Sequence, residues 1–274
     1  MHPSRKSDSL PTLFIPHGGG PCFFMDWDPP DTWHRMAAWL KQLGASIGAA
    51  PTAIVVISGH WEEAEFTVGT HPHPPLIYDY SGFPPHTYEL KYPATGSPAL
   101  AQRVKELLAQ AGIPSRSDPQ RGLDHGVFIP FKLIYPNADV PIIQLSLQAG
   151  LDPAAHLAAG HALQPLRQQG VLIVGSGMSY HNMRGFRAGG VIPASDRFDA
   201  WLAEAVCEPD PRVRNEKLAQ WTLAPAAREA HPREEHLLPL MVAAGAAGDD
   251  PGSRIFTDRV MGATVSAYQF GRSG

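Results

Sequence analysis

The chain has 274 residues, enough for one large domain or two small ones, with 43% hydrophobic and 18% charged residues and a formal net charge of −4. No basic field is available for a nucleic-acid backbone, and with only Cys22 and Cys207 there is neither a disulfide framework nor a Cys-x-x-Cys pair for zinc or redox work. A polar stretch from Met1 to Ser9 and the lack of any apolar run as long as a bilayer span lead to the expectation of a cytoplasmic protein with no membrane and no nucleic-acid partner.

Residues 1–9 are expected to be flexible, and the rest of residues 1–274 to form a single domain. Short runs rich in Val, Ile, Leu and Phe alternate with longer stretches whose apolar residues recur at three-to-four spacing. Thr12 to Pro16 reads as a strand and Thr32 to Ile47 as a helix, with Asp31 or Thr32 as its cap. Ala53 to Ser58 is a second strand. His71 to Pro98, rich in Pro, Tyr and Gly, reads as a shaped loop held by its own aromatic residues.

Ser97 before Pro98 opens a helix to Ala111 that Gly112 ends, and Asp152 before Pro153 opens another to Gln169 that Gly170 ends. Val140 to Leu147 and Val171 to Gly175 are strands. Helical patterns follow over Ser195 to Gln220 and Arg233 to Ala247, then two strands, Arg254 to Val260 and Thr264 to Phe270. The strands show little polar alternation, as expected where helices cover both faces. The fold class is therefore α/β, with no internal repeat and no linker.

The 13 histidines include five that stand beside glycine or a small or polar residue near the ends of apolar runs. His17 follows Leu13-Phe14-Ile15-Pro16 and precedes three glycines. His60 follows Ile54-Val55-Val56-Ile57-Ser58-Gly59, and His181 comes a few residues after Val171 to Gly175. The carboxyl ends of strands are where α/β sheets place their ligands. His125 lies between Asp124 and Gly126, where a plain turn is an equal reading, and His236 lies in an acidic segment, with His231 as an ordinary helix-end residue nearby. The glycine run is no phosphate loop, since it lacks both Gly-x-Gly-x-x-Gly and a Walker lysine. Imidazole is the commonest protein metal ligand and titrates near neutral pH, so such a set can hold a metal and move protons.

Six ordered motifs carry a closer likeness: Pro16-His17-Gly18-Gly19-Gly20-Pro21, Ile57-Ser58-Gly59-His60-Trp61-Glu62, Gly122-Leu123-Asp124-His125-Gly126, Pro141-Ile142-Ile143-Gln144-Leu145-Ser146-Leu147, Gly175-Ser176-Gly177-Met178-Ser179-Tyr180-His181-Asn182 and Glu235-His236-Leu237-Leu238-Pro239-Leu240. Through them the chain resembles, over nearly its whole length, the class III extradiol ring-cleavage dioxygenases, and more closely the 4,5-DOPA dioxygenase family. The resemblance implies a single α/β domain around a mainly parallel sheet, with the site at one end.

It also implies one divalent metal on His17, His60 and His236, with His181 as catalytic base and His125 as a second hydrogen-bonding group. The better-known relatives use a glutamate as third ligand, and Glu234 and Glu235 are the adjacent carboxylates here. Fe(II) is the metal expected for activity and Zn(II) an ion the site can also bind, because zinc has no redox chemistry but follows iron in the Irving–Williams order. The implied partners are O2 and a small aromatic substrate of catechol type, DOPA being one example. The aromatic residues Tyr78, Tyr80, Phe83 and Tyr88 either wall the pocket or pack the loop. Two rival readings use the same residues: a zinc hydrolase, and a non-catalytic binding protein of the same fold.

Overall fold

Central strands buried on both faces need a sheet whose neighbours are parallel and whose connections are helices, and that is what forms. The computed structural model describes residues 9–48 and 50–272. Of the tail expected to be flexible, residues 1–8 lie outside the described residues. In chain order the regular elements are β1 (Thr12–Pro16), α1 (His34–Ser46), β2 (Ala53–Glu63), β3 (Phe66–Gly69), α2 (Pro98–Gln110), β4 (Ser115–Asp118), α3 (His125–Ile134), β5 (Ile142–Gln148) and α4 (Pro153–Leu163). They continue with β6 (Val171–Gly177), α5 (Met183–Ala188), α6 (Pro193–Val206), α7 (Pro211–Ala219), α8 (Ala227–Ala230), α9 (Leu238–Ala247), β7 (Gly252–Val260) and β8 (Ala263–Phe270).

One eight-stranded sheet runs in the order β4-β3-β5-β2-β6-β1-β8-β7. Its centre, β5-β2-β6-β1, is parallel, while β8 is antiparallel to β1 and β7, and β3 is antiparallel to β5. Helices cover both faces: α9 lies on β1, β2 and β6 with α4 against it, and α3 lies on β2 and β6 with α1 against it. The register places Ser58 beside Ser176 and Pro16 beside Gly177, so β1 and β6 end level while β2, expected to stop at Ser58, runs on past them to Glu63.

Several boundaries differ from the sequence reading, each for a local reason. The expected cap of α1 is absent: the residue before the helix is Trp33, and the Thr32 hydroxyl donates to the Pro29 carbonyl at 2.6 Å. The expected long helix over 195–220 is two, because Pro209 and Pro211 cannot continue it and Asp210 caps α7 by accepting from the Arg212 N–H at 2.9 Å. Pro165 likewise ends α4 at Leu163, and a tighter turn carries the chain to Gly170, whose φ of 76° suits glycine. Ser97 and Asp152 cap α2 and α4 as expected.

Residues 233–237 are turn rather than helix, and α9 begins at Leu238. The helix α3 was not foreseen because all its residues except Lys132 are buried, which erases the polar periodicity that signals a helix. The short edge strand β4, Ser115-Arg116-Ser117-Asp118, has no apolar residue to show it.

Helix α9 is buried along its whole length. Gly245 sits where a Cβ would collide with the Leu157 carbonyl, and Gly160 of α4 where one would collide with the Val242 carbonyl, so the two helices cross backbone to backbone. The carbonyls at the far end of α9 are satisfied by two buried guanidinium groups. Arg167 donates to the Ala246 and Ala247 carbonyls at 3.2 and 2.9 Å. Arg214 donates to the Gly248 and Asp250 carbonyls at 2.7 and 2.6 Å. Replacing Arg214 with Met strands those acceptors in a low-dielectric interior, so urea denaturation is expected to show a loss of about 2–4 kcal/mol. An unchanged midpoint would mean that water or Arg167 takes over the cap.

Candidate metal and catalytic site

Chain geometry where β1 and β6 end and β2 runs past them brings distant histidines together. His17 follows β1, and its backbone N–H donates to the Gly177 carbonyl at 3.2 Å, which continues the β1–β6 pairing by one residue. The next turn needs glycine: Gly18 and Gly20 have φ of 84° and 55°, and a Cβ on Gly18 would strike the Cys22 sulfur. His60 lies in β2, two residues beyond the Ser58–Ser176 pair. His236 arrives from the turn before α9, where the Met178 N–H donates to its carbonyl at 3.0 Å. That turn and the start of α9 press on the sheet, because a Cβ on Gly177 would collide with the His236 carbonyl and one on Gly175 with the Pro239 carbonyl. Gly175 and Gly177 are therefore demanded by close backbone approach, and Gly18 and Gly20 by left-handed backbone.

His60 Nε2 stands 3.1 Å from His17 Nε2 and 3.2 Å from His236 Nε2. Burial first, and then the charges of neighbouring histidines, hold all three rings neutral: His60 is lowered to about 4, and His17 and His236 lie well below their ordinary value. Neutral imidazole is the form that ligates metal. With metal–nitrogen bonds of about 2.1 Å, ligand nitrogens stand about 3.0 Å apart at right angles and about 3.4 Å apart in a tetrahedron. The separations observed fall between these values, and the donor set fits one divalent ion.

Each ring's other nitrogen has its own environment. Ser176 Oγ gives its only proton to the Gly126 carbonyl, so at 3.3 Å from His17 Nδ1 it acts as acceptor, which leaves the His17 Nε2 lone pair free. His236 Nδ1 donates to Glu235 Oε1 at 3.0 Å, with the same result. His60 Nδ1 faces Asp79 Oδ2 at 3.7 Å, beyond hydrogen-bond reach.

His125 and His181 stand beside this group. The His60 and His125 ring centroids are 4.0 Å apart, and those of His181 and His236 are 3.4 Å apart with nearly parallel planes. Asp79 Oδ1 accepts from both the ring Nδ1 and the backbone N–H of His125, at 2.8 and 2.9 Å. Burial works to raise the Asp79 carboxyl, but the hydrogen bonds and charge of His125 outweigh it and bring the group down to about 2. His181 Nδ1 lies 3.3 Å from Glu235 Oε1. Glu235 is held well below the usual carboxylate range; burial would raise it, and the contacts from His181 and His236 prevail.

All five histidines line one cavity of about 340 Å³, large enough for a single aromatic ring. Trp27, Trp33, Tyr80, Phe83, Met178 and Phe186 give it an apolar wall. Tyr80 and Phe83 therefore face the cavity, while the Tyr78 hydroxyl donates to the Leu90 carbonyl at 2.6 Å and packs the loop. His231 is not among the five. It is buried against Phe198 and Trp221 and bonded to the Ser179 carbonyl, a structural position.

Asp79, Ser176 and the buried Asp124 were not singled out from sequence. Asp124 joins Ser58, Arg121 and Gln144, each at 2.7 Å, and so pins the start of α3, which bears His125, to β2 and β5. The only sequence signal for Asp79 was its place among the tyrosines of an ordered loop.

Known proteins resemble this chain in sequence and fold. A family profile described as the catalytic LigB subunit of aromatic ring-opening dioxygenase matches residues 11–271. The chain is 39% identical over 264 residues to a 4,5-DOPA dioxygenase extradiol of Beta vulgaris, covering 94% of this chain and 96% of that one. It is 34% identical over 245 residues to a 4,5-DOPA dioxygenase extradiol of Escherichia coli (strain K12), covering 88% and 86%. The crystal structure of the uncharacterized protein JW3007 from Escherichia coli K12 superposes with a TM-score of 0.78 at 30% identity, covering 96% of this chain and all of that one.

The dependence of the site on close backbone approach is testable without touching a histidine. Gly177→Ala is expected to push the His236 turn off the sheet, with a stability loss of about 1–3 kcal/mol from overpacking and a lower metal content in the folded protein. Full stability together with full metal content would show that the turn can move without consequence.

Proposed function

This chain belongs to the LigB family of aromatic ring-opening dioxygenases, and we propose that it cleaves a catechol-type ring beside its vicinal oxygens, both atoms of O2 entering the product. His17, His60 and His236 would hold one divalent metal, iron(II) in the active enzyme. The observation that carries this reading is the convergence of three neutral Nε2 atoms, with His125 and His181 beside them, at the end of a ring-sized apolar cavity.

Bound iron(II) would supply a site for both catechol oxygens and a route for electron density from ring to O2, which zinc(II), being d¹⁰, lacks. The residues do the rest. The apolar wall takes the ring face and keeps water out, so that polar contacts inside are strong. His181, with Nδ1 turned to Glu235, offers Nε2 to a ring hydroxyl, takes its proton as general base and returns it as the ring opens. His125, whose Nδ1–H is held by Asp79, presents Nε2 as a preoriented partner for the substrate oxygens or O2.

Oxygen uptake after anaerobic loading tests the reading. With iron(II), a catechol panel that includes DOPA is expected to consume one O2 per ring and give a yellow ring-opened product, and with zinc(II) none. Ester or amide hydrolysis by the zinc form, with no oxygen uptake by the iron form, would replace this reading with a hydrolase.

The residue roles separate in variants. His17→Ala, His60→Ala and His236→Ala are each expected to lose metal on elemental analysis. His181→Ala is expected to keep it while kcat falls by roughly two to four orders of magnitude, and His125→Ala to lose less. Full metal in His236→Ala with none in Glu235→Ala would move the third ligand to the carboxylate.

A further inference from the structure

Two carboxylates stand among four of the five histidines, each beside one metal-side ring and one substrate-side ring. Glu235 Oε1 accepts from His236 Nδ1 at 3.0 Å and stands 3.3 Å from His181 Nδ1. Asp79 Oδ1 accepts from His125 Nδ1 at 2.8 Å, and its Oδ2 stands 3.7 Å from His60 Nδ1. The pairs come from separate parts of the chain: Glu235 from the turn before α9, Asp79 from the aromatic loop whose Tyr80 and Phe83 wall the cavity.

We propose that Glu235 and Asp79 are positioning residues that set the tautomer of the rings they bind, Glu235 as a carboxylate bridge that joins a metal-holding histidine to a substrate-facing one and Asp79 as the anchor of a substrate-facing ring beside a metal-holding one. The proposal rests on His60 and His236 being metal ligands and on His125 and His181 facing substrate. An ionised carboxylate only accepts, so a ring nitrogen bonded to it must carry the proton and the opposite nitrogen keeps its lone pair. One Glu235 oxygen thus directs the His236 Nε2 lone pair to the metal position and the His181 Nε2 lone pair to the cavity. It also holds the two stacked rings, 3.4 Å between centroids, in one orientation. Asp79 does the same for His125 and ties that ring to the loop that forms the wall.

The distances rank the two carboxylates. On the metal side, Glu235 to His236 is a hydrogen bond and Asp79 to His60 is too long for one. Glu235 therefore governs both metal affinity and turnover, and Asp79 governs turnover with little effect on the metal.

Chelator competition on the whole protein, together with kcat and KM for a simple catechol at saturating iron(II), reads both effects. Glu235→Ala is expected to weaken metal binding about 10–100-fold and to lower kcat at saturating metal at least tenfold. Asp79→Ala should leave metal binding within threefold and lower kcat at least tenfold with KM little changed. Glu235→Gln and Asp79→Asn keep an accepting oxygen and should recover part of each loss, a rescue that a purely structural role would not show. Parent-like affinity and kcat in Glu235→Ala, or a larger metal loss in Asp79→Ala, would overturn the proposal.

The zinc-loaded parent gives a check independent of variant folding. Its long-range proton–nitrogen spectrum should show Nδ1-protonated His125, His181 and His236, and an Nε2-protonated His125 or His181 would also overturn it. If His236→Ala keeps its metal, the ligand assignment itself has failed. If it loses metal while Glu235→Ala behaves as the parent, only the bridge has failed.

Discussion

Three imidazole Nε2 atoms converge, His60 Nε2 lying within 3.2 Å of both His17 Nε2 and His236 Nε2, and three neutral rings leave at most one proton among those atoms, an arrangement that does not stabilise itself. Protonation would relieve the crowding, but burial opposes charge on these rings, so they stay neutral. A cation at the shared point relieves it directly. Before the ion arrives, the surrounding structure has to hold the nitrogens together, and much of the fold can be understood as the means of doing so.

The parallel centre of the sheet sets the level of His17 and His60 through a register fixed by two rows of hydrogen bonds on β6. The third ring cannot come from the sheet and is brought by a turn that the glycines of β6 allow to approach. Behind that turn stands α9, wholly buried, crossed at glycine by α4 and capped at its far end by Arg167 and Arg214. A helix fixed at its end and along its flank leaves the preceding turn little room to move. Stability and site geometry are thus linked through one element, as expected where a site is built on rigid parts rather than on mobile loops.

Much of this was legible in the chain because it depends on short-range rules. The four central strands showed as apolar runs, the caps of α2 and α4 as Ser-Pro and Asp-Pro, and His17, His60 and His181 as histidines at or just past strand ends, while His125 and His236 were placed by the family resemblance. What stayed hidden depends on residues far apart. Asp79 binds His125 across 46 positions and Ser176 meets His17 across 159, and nothing local to either marks the pairing. The helix α3 escaped because near-complete burial removes the amphipathic pattern, and the predicted 195–220 helix is divided at Pro209 and Pro211, which cannot continue it. The uncertainty between His236 and its neighbouring glutamates is a matter of side-chain direction: His236 turns Nε2 toward His60, and Glu235 lies on the far side of the ring, at Nδ1.

The claim on which the rest depends is that three imidazoles and no carboxylate come from the protein to the metal. X-ray absorption at the iron edge of the iron(II)-loaded protein tests it most directly, since imidazole rings give an outer-shell scattering pattern that carboxylates do not. Light-atom neighbours near 2.1 Å with the signature of about three imidazoles are expected, falling to two in any His236→Ala protein that retains some iron. Two imidazoles in the parent, or a pattern unchanged by His236→Ala, would contradict that claim.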